Sequence, residues 1–432
     1  MSKNKSLAII EINDSGHCCG TNIDEIFISP GYAFLSNDRI ETGDIALKKS
    51  FLSPQNSFNQ FWRQLNLSPL NHPTKKARHN ADLAFQQLTD LHKKLNNPSQ
   101  IIFAVPGSLD REQLSIILGL AEASSFEILG LIDSAIAATC NFDIEGRSKN
   151  DECLIYMDIE LHQTVFTRLL KSKTLTKRLS VDVVSDIGIK TIYDVWARNI
   201  ANKFIKEHRY DPLYTAEGEW QLYNSLPKWL EKLNRGSETT AVLSSPLGNY
   251  QLTISLDELL TESAKKINQL KKKFMTIIKD DDILVANHRL KLLPGVIEKL
   301  GEFHILKKDA AIFGAFENIQ NIKQGQKLRK LVTSLNIPSV DASQNSNSSS
   351  NEIPTHVLYK NKAVAIKNIL YFKLHNGSLE FSQNQISKKS IFLMQSDLYI
   401  NDQDKDQEEK VRLNLGQIIT VGSESFQLIK VT

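Results

Sequence analysis

Apolar runs alternate with amphipathic segments over the first three quarters of the chain, and this pattern predicts a layered α/β arrangement. The apolar run Ile101 to Val105 ends at Pro106 and is predicted to form a buried strand. Leu109 to Ser124 is predicted to be a helix, and Ile128 to Ile132 a second short strand. Continuous apolar strands that alternate with helices are typical of βαβ units.

Two further strands are predicted from apolar runs that end near acidic residues. Leu7 to Ile12 forms the first, and Asn13 to Gly16 is the turn that follows it. Cys153 to Asp158 forms the second, and it ends in a carboxylate. An acidic residue at the carboxyl end of a strand lies where open α/β sheets bind their ligands, so Asp158 is a candidate site residue.

Helical spacing of apolar residues predicts three more helices. Asn80 to Leu95 precedes the Ile101 strand, and Ser255 with Glu258 forms a capping box for a helix that runs to about Lys279. The third helix begins after Gly188, and its apolar residues recur at core-facing intervals. These residues are Ile189, Ile192, Trp196, Ile200 and Phe204.

The pattern changes in the last quarter of the chain. Ser343 to Asn351 has no apolar residue and is predicted to be a flexible linker. Leu370 to Leu374 and Leu379 to Phe381 then flank Asn376-Gly377, a strong hairpin signal, and more short strands follow. We therefore predict a first domain over 1–338, a linker over 339–353 and a small β-sandwich or β-barrel module over 354–432.

Composition narrows the functional classes. The chain has 432 residues, of which 41% are hydrophobic and 23% charged, so two or three globular domains are expected. A formal net charge of +3 gives no reason to expect nucleic acid or an anionic membrane as a partner. The N-terminal apolar run is too short for a signal peptide, and no run is long enough to span a membrane. A cytoplasmic protein is expected.

The four cysteines are too few for a disulfide framework in a chain of this length. Cys18 and Cys19 follow His17, a sequence that suggests a metal or redox site, but further ligands at metal-site spacing are missing. Buried reduced thiols are the alternative that we favour. No metal site is predicted.

Longer stretches resemble a known superfamily. IIFAVPGSLDREQLSIILGLAEASSFEILGLIDSAIAATC is similar to the Hsp70 segment of the actin/Hsp70/sugar-kinase superfamily, and DECLIYMDIELHQTVFTRL resembles the strand and D-L-G-G-G-T-F-D loop that follow there. The resemblance extends from residue 7 to about residue 325. It implies an α/β, actin/Hsp70-like two-lobed ATPase fold, followed here by the all-β module, and ATP with magnesium as the cofactor.

The resemblance places the first phosphate loop, D-L-G-T-T-N in the family, at residues 11–16. Glu11 keeps a carboxylate at the position that holds magnesium-bound water in the family. Asn13 replaces the glycine that lets the backbone approach phosphate, and Asp14 replaces a threonine with a negative charge. Asn13 and Ser15 are thereby the candidate nucleotide contacts of this loop.

The second phosphate loop is altered more strongly. Asp158 matches the aspartate that positions the attacking water in the family, whereas residues 159–163 replace L-G-G-G-T. Glycines are used in such loops because successive unhindered N–H groups wrap closely around phosphate oxygens. The acidic Glu160 stands in that path, and this argues against normal ATP hydrolysis.

Other family positions also differ. Gly188 matches the one remaining glycine of a G-G pair that contacts nucleotide at a helix start in the family, although such a position is more often simply a helix start. Ala286 and Asn287 replace the G-G pair of the adenosine loop, L-V-G-G-S-T-R. Trp62 stands where the family has its catalytic lysine, with Arg63 beside it, and a tryptophan cannot supply the cationic donor.

Three hypotheses follow from the resemblance and these departures from it. The first is an Hsp70-like, chaperone-related protein, a degenerate pseudo-ATPase that acts through contacts with a protein partner or client. The second is an active but atypical ATPase that uses Glu11 and Asp158. The third is an actin-like scaffold of a bacterial assembly machine, although the chain has no predicted membrane span or amphipathic anchor.

Overall fold

The computed structural model of the chain contains two compact units, Met1–Val340 and Asp341–Thr432. The structure describes residues 6–21, 25–36, 39–124, 126–142, 152–172, 174–323, 330–336, 355–360, 362–366, 369–375, 378–384, 389–394, 397–402, 407–412, 418–421 and 424–429. The predicted linker Ser343 to Asn351 and the turn Asn376-Gly377 lie outside these residues. Both helices and strands are abundant, so the structure is mixed α/β.

The first unit begins with five successive strands, and strands and helices then alternate over residues 80–159, the region in which the apolar pattern predicts βαβ units. In chain order they are β1 Leu7–Glu11, β2 His17–Gly20, β3 Ile26–Ser29, β4 Ala33–Ser36, β5 Arg39–Thr42, α1 Asp44–Lys49, β6 Ser57–Phe58, α2 Asn80–Lys94, β7 Gln100–Val105, α3 Arg111–Ala123, β8 Glu127–Asp133, α4 Ser134–Thr139, β9 Glu152–Ile159, β10 Gln163–Lys171 and β11 Leu175–Ser185.

The rest of this unit adds longer helices. They and the remaining strands are α5 Ile189–His208, α6 Ala216–Leu233, β12 Glu238–Ser245, β13 Gly248–Ser255, α7 Leu256–Met275, β14 Ile283–Ala286, α8 Val296–Leu300, β15 His304–Ile305, α9 Ala310–Glu317, α10 Ile319–Ile322, β16 Leu331–Val332 and β17 Ser334–Asn336. Short 3₁₀ helices cover Pro54–Asn56 and His288–Leu292.

Two six-stranded sheets form the frame of the first unit, and their strand orders correspond. The first has the order β16-β8-β7-β1-β2-β3, and the second β15-β14-β9-β10-β11-β17. In each sheet a strand pairs antiparallel with the next strand in the chain and parallel with a later one: β1 with β2 and β7, and β9 with β10 and β14. The two sheets therefore repeat one pattern, and β1 and β9 hold equivalent central positions.

Helices α4 and α9 pack between the two sheets. One apolar cluster contains Ile9 of β1, Ile136 of α4, Leu154 of β9 and Ile312 of α9. A Cβ atom on Gly314 would collide with the carbonyl oxygen of Ala137, so the glycine allows the two helices to approach closely. The central strands of both sheets are thus held in one core, with their carboxyl ends on the same side of it.

Local sequence signals explain most helix boundaries. Helix α3 begins at Arg111 rather than at the predicted Leu109, because Asp110 caps it and Gln113 completes a capping box. Ser255 accepts a hydrogen bond from the backbone of Glu258, which confirms the predicted start of α7. The predicted end of α7 near Lys279 was wrong: the helix ends at Met275, where Thr276 caps it.

The second unit is all β. Its strands are β18 His356–Tyr359, β19 Lys362–Ala365, β20 Leu370–His375, β21 Ser378–Ser382, β22 Lys389–Met394, β23 Asp397–Asp402, β24 Gln407–Arg412, β25 Ile418–Val421 and β26 Glu424–Ile429. They form a four-stranded sheet, β19-β18-β26-β25, and a five-stranded sheet, β21-β20-β22-β23-β24. Val357 and Leu428 of the first sheet share one core with Phe372 and Leu393 of the second. This is the arrangement of a β-sandwich.

Within the described ranges, no helix combines the length and the apolar character needed to cross a lipid bilayer.

Candidate functional site

The candidate residues meet where β1 and β9 end. Glu11 is the last residue of β1, and Asp158 lies next to the last residue of β9. The loop after β14 brings Asn287 to the same place. All three side chains are buried, with 1%, 2% and 5% exposure respectively. The structure therefore brings together two acidic residues and an amide that are far apart in the sequence.

Arg289 supplies the positive charge of this cluster. Its Nη1 and Nη2 atoms lie 3.1 and 3.2 Å from the two carboxylate oxygens of Glu11, and Nη2 also donates to the carbonyl oxygen of Gly16 at 2.6 Å. Both side chains of the ion pair are almost completely buried. A bidentate guanidinium–carboxylate pair combines strong hydrogen bonding with a fixed geometry. Glu11 is therefore already engaged by a cation from its own chain.

Asn13 links the first loop, residues 11–16, to the second loop, residues 159–163. Its Nδ2 atom donates to Oδ1 of Asp158 at 3.1 Å and to the carbonyl oxygen of Ile159 at 3.3 Å. Its Oδ1 atom accepts from the backbone N and the hydroxyl of Ser15, at 2.9 and 2.6 Å. Where the resembled loops have a bare glycine, this chain has a side chain whose donor and acceptor are both used internally.

The neighbouring carboxyl group of Asp14 binds the second loop from the other side. Its Oδ1 accepts from the backbone N of Leu161 at 2.6 Å, while its Oδ2 is buried and has no hydrogen-bond partner among the described residues. Glu160 accepts from Gln163 at 2.6 Å and from the hydroxyl of Ser108 at 3.3 Å. The two loops are thus joined by contacts between protein groups.

Burial of several carboxyl groups together changes their protonation. Loss of solvation is the main cause, and it raises the pKa of Asp14 to about 6 and that of Asp158 to about 7. Burial, and then the nearby Asp14 and Asp158, raise the pKa of Glu160 well above its ordinary value. Oδ2 of Asp158 is also buried without a hydrogen-bond partner among the described residues. The site therefore holds more carboxyl groups than its cations neutralise, and burial favours the protonated forms of these groups.

The start of α5 is closed by the second loop. The backbone N of Ile189 donates to the carbonyl oxygen of Glu160 at 3.0 Å, and that of Lys190 donates to Leu161 at 2.9 Å. A Cβ atom on Gly188 would lie 2.6 Å from the backbone nitrogens of His162 and Gln163. Gly188 is needed for this close packing, and the first two amides of the helix donate to protein carbonyls.

Ala286 and Asn287 belong to the framework around the site. Ala286 is the last residue of β14, pairs with Met157 of β9 and is fully buried. The backbone N of Asn287 donates to Met157 at 2.9 Å, and its Nδ2 donates to the hydroxyl of Tyr156 at 2.9 Å and to Glu11 at 3.4 Å. Ala286 therefore holds β14 against β9 within the second sheet, and Asn287, two residues before Arg289, connects that sheet to Glu11 of the first.

A cavity of about 220 Å³ opens beside the two loops. Asp14 and Glu160 line it, together with Trp62 and Arg63. The indole N of Trp62 donates to Gln87 at 2.8 Å, and Nη2 of Arg63 lies 3.1 Å from the exposed carboxylate of Asp186. The tryptophan that stands at the resembled lysine position is therefore part of the core, and the adjacent arginine pairs at the rim.

Sequence reasoning missed Arg289 as a site residue. The available signal was weak, because Arg289 lies among polar residues, with Asn287 and His288 before it and Lys291 after it, as well as Leu290, Leu292 and Leu293. A buried arginine requires a buried anion, but only the tertiary structure identifies that anion as Glu11. Within the described part of the chain, no group of three or more His, Cys, Asp or Glu side chains is arranged to hold a metal ion.

Comparisons with known proteins identify no family for the chain. No protein-family model matches the chain, and a comparison with curated proteins finds no match.

Proposed function

We propose that this chain is a degenerate member of the actin/Hsp70 class, a chaperone-related pseudo-ATPase that acts through contacts with a protein partner or client. We include the two-lobed fold of that class in the proposal. It is supported by the two sheets, which have corresponding strand orders, and by the packing of α4 and α9 between them. In the resembled class, nucleotide binds in the cleft between the two lobes. The side chains that occupy the corresponding place in this chain therefore distinguish an active ATPase from a pseudo-ATPase.

The observation that carries the proposal is the buried ion pair between Arg289 and Glu11. Glu11 stands where the resembled family places the carboxylate that holds magnesium-bound water. Here both of its oxygens face the guanidinium, at 3.1 and 3.2 Å. Replacing a buried charge partner by a hydrated ion requires breaking two charge-assisted hydrogen bonds, which is unfavourable. The arginine thus supplies from within the chain the charge that a bound cation would supply.

The loops around the pair support the same conclusion. Asn13 and Glu160 fill the space in which the resembled loops wrap phosphate, and the amides of Ile189 and Lys190 donate to the second loop. Asp14 and Glu160 would also bring negative charge against the anionic phosphates of ATP. On these grounds the residues do not fit ATP with magnesium, and we derive no hydrolysis step.

One observation favours the second candidate, an atypical active ATPase. Oδ2 of Asp158 is buried without a hydrogen-bond partner among the described residues, and the pKa of Asp158 is raised, chiefly by burial, to about 7. A carboxylate with these properties is suited to accept a proton from water. This candidate requires nucleotide to enter despite the contacts of Asn13 and Arg289.

Phosphate release separates the two candidates. We expect the purified full chain, given ATP and magnesium, to release phosphate no faster than its Asp158→Asn variant. Glu231→Gln is the matched control, because it removes an exposed carboxylate on α6. Release by the wild type and the control that Asp158→Asn abolishes would overturn the pseudo-ATPase proposal and establish the active alternative.

A further inference from the structure

The acidic side chains of the cavity beside the two loops would repel a phosphate group and attract a positively charged group. We propose that it binds an organic cation, an ammonium or guanidinium group carried either by a small amine or by a Lys or Arg side chain of a protein partner. This inference rests on the proposed function, since it assigns a ligand to the cleft that nucleotide does not use.

The carboxyl group of Asp14 gives the primary reason. It lines the cavity, is 3% exposed, and its Oδ2 is buried with no hydrogen-bond partner in the described part of the chain. An unpaired buried carboxylate is costly, and a cation that enters the cavity removes that cost. Its Oδ1 is fixed by the backbone N of Leu161, so Oδ2 is held in one orientation.

The cations already near Asp14 have other partners. Arg289 pairs with Glu11, and Arg63 lies 3.1 Å from Asp186 at the rim. Glu160, which also lines the cavity, accepts hydrogen bonds from two neutral side chains, those of Gln163 and Ser108. The buried loops therefore keep a surplus of acidic groups next to the cavity.

The rest of the lining is mixed, because it contains Arg63 and neutral polar side chains as well as apolar and aromatic ones. Ile12, Trp62, Pro106 and Leu109 form its apolar part. Lysine, arginine and alkylamines combine a hydrocarbon stem with a charged end, so they match a cavity that has both kinds of wall. Aromatic faces add a further attraction for such cations.

An organic cation fits this cavity better than a metal ion or an anion. Two carboxyl groups of the described residues, those of Asp14 and Glu160, line it, whereas calcium takes six to eight oxygen ligands. No group of three potential metal ligands is arranged for an ion among the residues described. A phosphate would meet both carboxylates at short range. A single ammonium or guanidinium group needs only one or two acceptors.

The pH dependence of binding follows from the groups around Asp14. Glu160 and Asp158 from the second loop and strand, Arg63 from the turn after β6 and Arg289 from the 3₁₀ helix all act on it. Burial raises the pKa of Asp14 to about 6. Cation binding requires the ionised form, so affinity is expected to fall as the pH is lowered through about 6.

The test is calorimetric titration of the full chain with n-butylammonium and agmatine, at pH 7.5 and pH 5. Asp14→Asn keeps an acceptor for Leu161 and removes the charge, and we expect it to weaken binding by about tenfold or more. Glu231→Gln removes a distant exposed carboxylate and should leave affinity unchanged. If Asp14→Asn does not fold, Glu160→Gln is measured in its place, with the same expectation.

A lysine-containing peptide and its acetyl-lysine counterpart distinguish the two sources of the cation. Tighter binding of the lysine peptide than of butylammonium assigns the cavity to a partner side chain, and the reverse order assigns it to a small amine. No binding of any of these cations to the wild type, or binding that Asp14→Asn leaves intact, overturns the inference. A separate ATP titration and the phosphate-release assay distinguish this failure from failure of the pseudo-ATPase proposal, which nucleotide binding or Asp158-dependent phosphate release contradicts.

Discussion

Arg289 and Glu11, 278 positions apart in the chain, form a bidentate ion pair in the interior of the first unit. Glu11 ends the central strand β1 of the first sheet, and Arg289 follows β14 of the second sheet. Asn287 reinforces the connection, because its Nδ2 donates both to Tyr156 in β9 and to Glu11. The pair therefore ties the two sheets together at the ends of their central strands.

Truncation of Arg289 should be strongly destabilising. Arg289→Ala leaves Glu11 buried without its charge partner, and breaking a buried pair in this way typically costs about 3–5 kcal/mol. Denaturant unfolding of the full chain, followed by a probe of the first unit, measures the change.

The matched control is Arg235→Ala. Arg235 also pairs with a glutamate, Glu231, but the two side chains are 80% and 68% exposed. Exposed i,i+4 pairs contribute about 0.3–0.5 kcal/mol, so this variant should be close to wild type. Equal stabilities of the two variants would show that Arg289 does not hold the sheets together.

Gly188→Ala should disrupt the contact between α5 and the second loop. The new Cβ atom would lie 2.6 Å from backbone atoms of Glu160, His162 and Gln163, which cannot move as freely as side chains. Overpacking of this kind costs about 1–3 kcal/mol. The unfolding free energy measures the loss.

Gly119→Ala provides the comparison for that variant. Gly119 lies in α3, and a Cβ atom there meets nothing within 4 Å. Alanine should therefore stabilise the helix by about 0.5–1 kcal/mol. A Gly188→Ala variant as stable as Gly119→Ala would contradict the packing described for the second loop.

Asp158 should make stability depend on pH. Burial is the main cause that raises the pKa of Asp158 from 3.8 to about 7, so the folded state favours the protonated form. The stability from this group is fully present below pH 3.8 and is lost as the pH rises through about 7. Asp158→Asn removes this loss. As the pH rises from 4 to 8, the unfolding free energy of the variant should therefore increase relative to wild type by on the order of 1–3 kcal/mol.

Thermal or denaturant unfolding at several pH values tests this prediction. Asp186→Asn is the matched control, because it replaces an aspartate whose side chain is 78% exposed. The control should follow the wild type within about 0.5 kcal/mol. If Asp158→Asn shows the same pH profile as wild type, Asp158 does not carry the excess charge of the site.

The sequence predicted the central strands because each is a continuous apolar run. Predicted Ile101 to Val105 compares with observed Gln100–Val105, and predicted Cys153 to Asp158 with observed Glu152–Ile159. The stripe on α5 from Ile189 to Phe204 is buried as its spacing indicates. Local periodicity was sufficient for these elements, because burial of a strand or a helix face depends on short stretches of chain.

The contents of the site could be predicted only in part. The end of a predicted strand identified Asp158 as a candidate, and the family resemblance identified Glu11; both side chains are buried. The role of Arg289 and the hydrogen bond from Asn13 to Asp158 depend on contacts between loops more than 140 positions apart. No local pattern encodes such contacts, because the partner of a buried charge is set by the packing of the two sheets.

Calorimetric titration of the full chain with ATP and with ADP, in the presence of magnesium, shows directly whether the site still binds nucleotide. If Arg289 and the two loops occupy the positions of magnesium and phosphate, neither nucleotide should produce heat beyond that of dilution. Saturable binding in the micromolar range would contradict the account, because the nucleotide would then have displaced the contacts of Asn13, Glu160 and Arg289.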